Sequence, residues 1–144
     1  MLRQLLIGGV ISLGNIAIHA IVMATVVGTA RRALKWSHRQ PQARLAAAMV
    51  ATVGVLLAAH ISEVVIWSLA YAFLAVAPPE ADMLYFAFVN YTTLGYGDVV
   101  PVERWRLLGP MAAMNGVLLF GWSTAVIFEV LRQAMRSHDH RGEP

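Results

Sequence analysis

TTLGYGD, residues 92–98, is a polar, glycine-broken stretch inside a chain that is otherwise mostly apolar. Two threonines, two glycines and an aspartate crowd into seven residues. Gly95 and Gly97 sit at alternate positions, so the backbone there is free to adopt conformations that a side chain forbids. Alternating freedom of this kind lets successive carbonyls face the same way. Thr93, Leu94, Gly95 and Tyr96 would then offer four stacked carbonyl oxygens, with the Thr93 hydroxyl as one more. Oxygens so arranged can replace the water around a dehydrated cation. One chain supplies one wall, so a closed ring requires several copies.

The flanks decide whether this is a surface loop or something deeper. The 144 residues are 58% hydrophobic and 13% charged, where soluble domains are about 45–50% apolar and about 25% charged. The mean hydropathy of +0.62 agrees. Three runs, 5–29, 45–77 and 107–131, each exceed the roughly 20 residues that a helix needs to cross a bilayer. The composition and runs predict an all-α integral membrane protein of one domain. Its N-terminal span covers 1–30, a basic loop 31–44, an outer helix 45–77, an inner helix 107–131 and a short tail 132–144. The first run is read as a retained span, because it is longer than the about 7–15 apolar residues of a secretory leader. There is no cysteine, so neither a disulfide framework nor a thiolate metal site is available.

The net charge of +3 invites a nucleic-acid reading, but its distribution argues for topology. Arg31, Arg32, Lys35, Arg39 and Arg44 lie between runs one and two, and Arg132, Arg136 and Arg141 follow run three. These are eight of eleven basic residues, and with three spans both segments fall on one side. The positive-inside rule makes that side cytoplasmic. The N-terminus and residues 77–106 are then outside. Trp36 and Trp105 suit the aromatic belts at the two interfaces.

Within 77–106, Pro78-Pro79-Glu80-Ala81-Asp82 reads as a helix start, with proline and acids in the first turn. The apolar, aromatic stretch 83–91 is too short to cross a bilayer. A helix over 79–92 followed by irregular backbone over 93–98 predicts a re-entrant segment, tolerated at membrane depth only where protein buries it or water reaches it.

Residues 92–98 resemble the selectivity-filter signature of potassium channels, Thr-Val-Gly-Tyr-Gly-Asp. The aromatic helix before them resembles the pore helix of that family, and the third span resembles its inner helix. One extra N-terminal span before a two-span pore unit is similar to small prokaryotic members. The resemblance implies a homotetramer in the bilayer of a prokaryotic plasma membrane, conducting potassium passively. Potassium would bind at Thr93, Leu94, Gly95 and Tyr96, with Gly97 completing the filter and Thr92, Tyr85 and Asp98 supporting it. It implies no cofactor, no nucleic acid and no small-molecule substrate. Leu94 stands where the family has valine, Val89 where some members have a glutamate that bonds the filter aspartate, and Tyr85 where many have a tryptophan that does so. A phenol retains a donor for Asp98. Gly116, and alternatively Gly121, occupies the place of the inner-helix gating hinge. A non-selective monovalent cation channel of the same fold is the alternative.

Other polar residues stand outside that resemblance. His19 lies mid-span in run one, and His60 and Glu63 share a helical face in run two. Ionisable groups at such depth are expensive and mark function or pairing. They read as an intramembrane hydrogen-bond network, as a proton switch, or as a metal site for a membrane metal-binding protein or metalloenzyme. Facing span one or a neighbouring subunit, Glu63 is expected to be neutral or paired. Asn115, Ser123 and Thr124 could line a wet cavity or bond between helices, and Glu129 could ring the inner entrance or pair with Arg132. No arginine ladder of the voltage-sensing type is present.

Overall fold

The structure is a computed structural model that describes residues 1–35 and 41–139. Trp36 and Arg39 of the expected basic loop, and Arg141 of the tail, lie outside the described residues. Among the described residues four α-helices make the fold: α1 (Leu2–Lys35), α2 (Pro41–Leu74), α3 (Met83–Tyr91) and α4 (Leu108–Asp139). A 3-10 turn, Glu103–Trp105, precedes α4. The three long helices run 34, 34 and 32 residues, about 50 Å each at 1.5 Å per residue. All three are long and apolar enough to cross a membrane. The described residues contain no strand.

Helix boundaries differ from expectation for local reasons. α2 stops at Leu74 rather than 77. Ala75 turns left-handed (φ 50°), Val76 N–H donates to Tyr71 O (3.0 Å) and Ala75 N–H to Ala72 O (3.2 Å). This is a Schellman stop made without glycine, and Pro78 just beyond disfavours helix at Ala77. The Pro78–Pro79 pair does not start α3. Ala81 N–H donates back to Pro78 O (3.0 Å), making a turn. The helix starts after Asp82, whose carboxylate accepts from Leu84 N (2.9 Å) and Tyr85 N (3.1 Å). That N-cap serves two of the four orphan amides of the first turn. α4 runs beyond 131, and in that extension Glu129 pairs with Arg132 and accepts from Gln133 Nε2 (2.6 Å).

The chain has two apolar layers. In one, Val64, Trp67 and Tyr71 of α2 pack with Phe86, Ala87 and Tyr91 of α3 and with Trp105, Leu108 and Ala112. In the other, Met23, Val26 and Ala30 of α1 meet Leu56 of α2 and Val126 and Val130 of α4. Gln4 Oε1 accepts from Leu107 N (2.9 Å), and the Arg3 guanidinium lies over the Trp105 ring, 5.1 Å from its centre. The start of α1 therefore lies at the same end as residues 76–106. The end of α1, the start of α2 and the end of α4 lie toward the other. Hydrocarbon gives apolar helices no reason to associate, so packing and interhelical hydrogen bonds must hold them. Both occur at mid-depth, between the two layers.

Candidate functional site

The 92–98 segment is tied to α3 by its backbone. Thr93 N–H donates to Asn90 O (2.9 Å), while Leu94 N–H (2.9 Å) and Gly95 N–H (3.2 Å) share Val89 O. Thr93, Gly95 and Gly97 have positive φ, at 62°, 58° and 79°; Leu94 and Tyr96 do not. Alternation between the two hands is the conformation that aligns successive peptide dipoles, N–H groups to one side and carbonyls to the other. The two glycines take their turns at little cost. Thr93 occupies the left-handed region against an intrinsic penalty of about 1–2 kcal/mol, so the bonds to Asn90 and Val89 must hold it there. Every residue from Thr92 to Asp98 is exposed in the single chain, including Leu94 at 53% and Tyr96 at 67%. Thr92 Oγ1 is turned back onto Phe88 O (2.7 Å).

Beyond the glycines the chain closes on α3 again. The Tyr85 hydroxyl donates to Asp98 Oδ2 (2.6 Å), and Val99 N–H donates to Asp98 Oδ1 (3.1 Å). The phenol holds the Asp98 carboxyl below its ordinary range, and the same bond pushes the Tyr85 phenol up. Val89, the neighbour that carries no donor, is buried. Val102 N–H then donates to Val76 O (2.8 Å), joining the exit from this segment to the end of α2.

The opposite end of α3 is clamped from behind. A Cβ built at Gly116 would lie 2.0 Å from the Tyr91 carbonyl oxygen, so α4 touches α3 through bare backbone there. Gly116 thus has a packing role; at Gly121 a Cβ would meet nothing within 4 Å.

The mid-depth polar residues come together around Tyr91. His19 Nδ1 lies 2.7 Å from Glu63 Oε1, and His60 Nδ1 lies 3.0 Å from Glu63 Oε2. The Tyr91 hydroxyl donates to Glu63 Oε2 (2.5 Å) and is 3.0 Å from His60 Nδ1. Ser123 Oγ lies 2.9 Å from His60 Nε2 and 3.2 Å from His19 Nε2. His19 and Glu63 are wholly buried, and His60 is 12% exposed. Glu63 is therefore paired and faces α1 and α3 of its own chain. The ligand-type atoms of His19, His60 and Glu63 lie within 4.8 Å of one another. The closest contact, 2.7 Å, is a hydrogen-bond separation. Two ligands on one tetrahedral zinc, at bond lengths near 2.0–2.1 Å, stand about 3.3 Å apart. The cluster is a hydrogen-bonded one.

A second buried group adjoins it. Asn115 Oδ1 accepts from Trp67 Nε1 (3.0 Å) and from Asn15 Nδ2 (3.1 Å), and Asn15 Nδ2 also reaches Glu63 O (3.3 Å). Asn115 and Ser123 are thus helix–helix bonding residues. Thr124 bonds within its own helix, to Phe120 O (3.0 Å), and Glu129 pairs with Arg132. Asn15, Trp67 and Tyr91 do not stand out in the sequence. The available signal is Asn15, one turn from His19 on the same face of an apolar run.

These features define a helical membrane protein with a short helix and an exposed polar backbone segment seated between two long helices. A family model described as Ion channel matches residues 59–133, more than half of the chain, and the chain belongs to that family. The match spans α3, the 92–98 segment and most of α4; α1 lies outside it. No curated protein and no solved structure matches the chain.

Proposed function

We propose that four copies of this chain assemble around a central pore and conduct potassium passively. In this reading α3 is the re-entrant pore helix, residues 93–97 the filter, α2 the outer helix and α4 the inner one. The supporting observation is the alternation of positive φ at Thr93, Gly95 and Gly97 on an exposed strip, a pattern that can bring successive backbone carbonyls to one side. Four such strips facing one axis would surround a cation with oxygens that replace its hydration shell. The Thr93 hydroxyl extends the row. Asp98, kept ionised by Tyr85, places negative charge at the mouth. A single copy would leave these carbonyls without partners in hydrocarbon, which a bilayer does not tolerate. Gly121, clear of neighbours, is the better placed of the two candidate hinges. The basic segments put the N-terminus outside and the C-terminus in the cytoplasm.

The test is flux through purified protein in liposomes under potassium and sodium gradients, with the native mass measured in mild detergent. Potassium flux exceeding sodium flux, from a particle of four chains, supports the reading. Equal potassium and sodium flux would replace it with a non-selective channel. Activity from a monomer or dimer would overturn the assembly.

A further inference from the structure

Glu63, His19, Ser123 and His60 close a ring of four contacts, with the Tyr91 hydroxyl added at Glu63 Oε2. Filling that ring with hydrogens is a counting problem. An ionised carboxylate only accepts, so both Nδ1 atoms must donate to it. A neutral imidazole has one N–H. Both Nε2 atoms then present lone pairs to Ser123, which has a single hydrogen. One contact would be lone pair against lone pair, and the buried cluster would carry a net negative charge. Each is heavily penalised away from water.

One additional proton removes both faults. Placed on the second Nε2, it makes an imidazolium that donates to Ser123 Oγ and balances Glu63. Placed on Glu63 Oε1, it donates to His19 Nδ1, and the His19 Nε2–H then donates to Ser123. The two arrangements differ by proton movement across the 2.7 Å contact between His19 and Glu63. In both, every contact has one hydrogen and the cluster is neutral.

We propose that this ring is a binding site for a single proton and that its occupancy controls the pore through Tyr91. The groups facing it are His19 from α1, His60 and Glu63 from α2 and Tyr91 from α3; α4 contributes Ser123 and the rings of Phe120 and Trp122. Tyr91 is the last residue of α3, and its backbone lies against Gly116. Val89, in the same last turn, holds the amides of Leu94 and Gly95. Loss of the proton sets lone pair against lone pair at Ser123 and leaves an unbalanced carboxylate under Tyr91, so the ring must rearrange and the end of α3 seated on it shifts. Proton binding stands on the ring alone. Control of flux rests on the potassium-channel reading.

The experiment uses full-length protein labelled with 15N-histidine in liposomes, from about pH 5 to about pH 9, a range that brackets imidazole titration. Ring nitrogen signals are assigned with His19→Gln and His60→Gln. The expected result is one pH step in the ring nitrogens as pH rises: loss of one imidazolium proton or, where Glu63 holds the proton, a switch of the His19 N–H from Nε2 to Nδ1. Glu63→Gln should show no step, because its amide donates to His19 Nδ1 as the protonated acid would, and both imidazoles are then satisfied while neutral. In parallel, wild-type potassium flux should fall by about tenfold across the step, within the range of ordinary site-to-site coupling. The Glu63→Gln protein should keep its flux at alkaline pH. Ring nitrogen signals that do not change with pH in the wild type, an equal step in Glu63→Gln, or a stoichiometric transition metal by elemental analysis would overturn the site. A proton step with flat flux would overturn the coupling. Absence of any potassium flux would remove the channel reading, and the wild-type nitrogen signals would still decide the proton site, whether or not the variant assembles.

Discussion

At its first turn α3 is held by attachments that are exposed in the single chain: Asp82 caps the amides, and Tyr85 reaches across to Asp98 on the exposed segment. At its last turn it is held under protein: Tyr91 meets Glu63 and His60 with its hydroxyl and Gly116 with its backbone. The exposed attachments can be exchanged with solvent when they break. The buried ones have no water to fall back on, so losing one partner leaves the other stranded. The difference implies that changes at the buried end should register as loss of assembly, and changes at the exposed end as altered ion handling.

The sharpest attempt to break this contrast is Gly116→Ala. Its methyl would stand 2.0 Å from a backbone oxygen, which cannot rotate away as a side chain does. Overpacking of this kind costs about 1–3 kcal/mol, and here α4 as a whole must shift. The expected outcome is a large drop in thermal stability in detergent or failure to assemble. An unchanged melting temperature would mean that α4 is not seated on Tyr91.

Gly97→Ala comes next. At φ 79° the added Cβ meets no neighbour within 4 Å, only an unfavourable backbone region worth about 1–2 kcal/mol. Assembly should persist while potassium flux collapses or loses its preference over sodium. Retained preference would count against residues 93–97 as the filter.

Trp67→Phe tests the buried end more gently. It removes the indole donor to Asn115 Oδ1, which still accepts from Asn15. A loss of about 1 kcal/mol is expected, read as a modest fall in melting temperature with selectivity unaltered.

The smallest effect belongs to Tyr85→Phe. The phenol depresses the Asp98 pKa, so its contribution is present above the ordinary carboxylate value of about 3.9 and fades as pH falls through the lowered folded value. Without the phenol, the Asp98 pKa should move up toward the ordinary value. The acid limb of the flux profile should shift upward with it, with little change near neutrality. An acid limb at the same pH in both proteins would show that Asp98 does not set it.

How much of this the sequence discloses follows the same division. The exposed segment is written in consecutive residues, so Thr93, Gly95 and Gly97 can be read together, and their backbone requirement follows from residue type and spacing alone. Three apolar runs likewise announce three long helices. The ring around Glu63 is spelled across the chain: His19 is 44 residues from Glu63 and 104 from Ser123. Only the His60–Glu63 pair, one turn apart, carries a local signature. Tyr91 is hidden among the aromatic residues of its own helix, and no period distinguishes a tyrosine whose hydroxyl is used. The start of α3 is ambiguous in the sequence because Pro78-Pro79 and Asp82 are both good openings, and only the amide bonds of Leu84 and Tyr85 favour the second.

The reach of α1 into the centre of the bundle bears on modularity. Residues 59–133 carry the family match, which makes α1 look like an appendage that could be trimmed or exchanged. Yet His19 holds Glu63, Asn15 bridges Asn115 to the backbone of Glu63, and Gln4 supports the start of α4. A transplanted 59–133 segment lacking these three side chains would present hydrocarbon with a half-bonded carboxylate, a deficit of about 3–5 kcal/mol when a buried partner is removed. A chimera built from this segment must therefore carry α1 with it, or replace Glu63 and Asn115 with apolar residues at the same stroke.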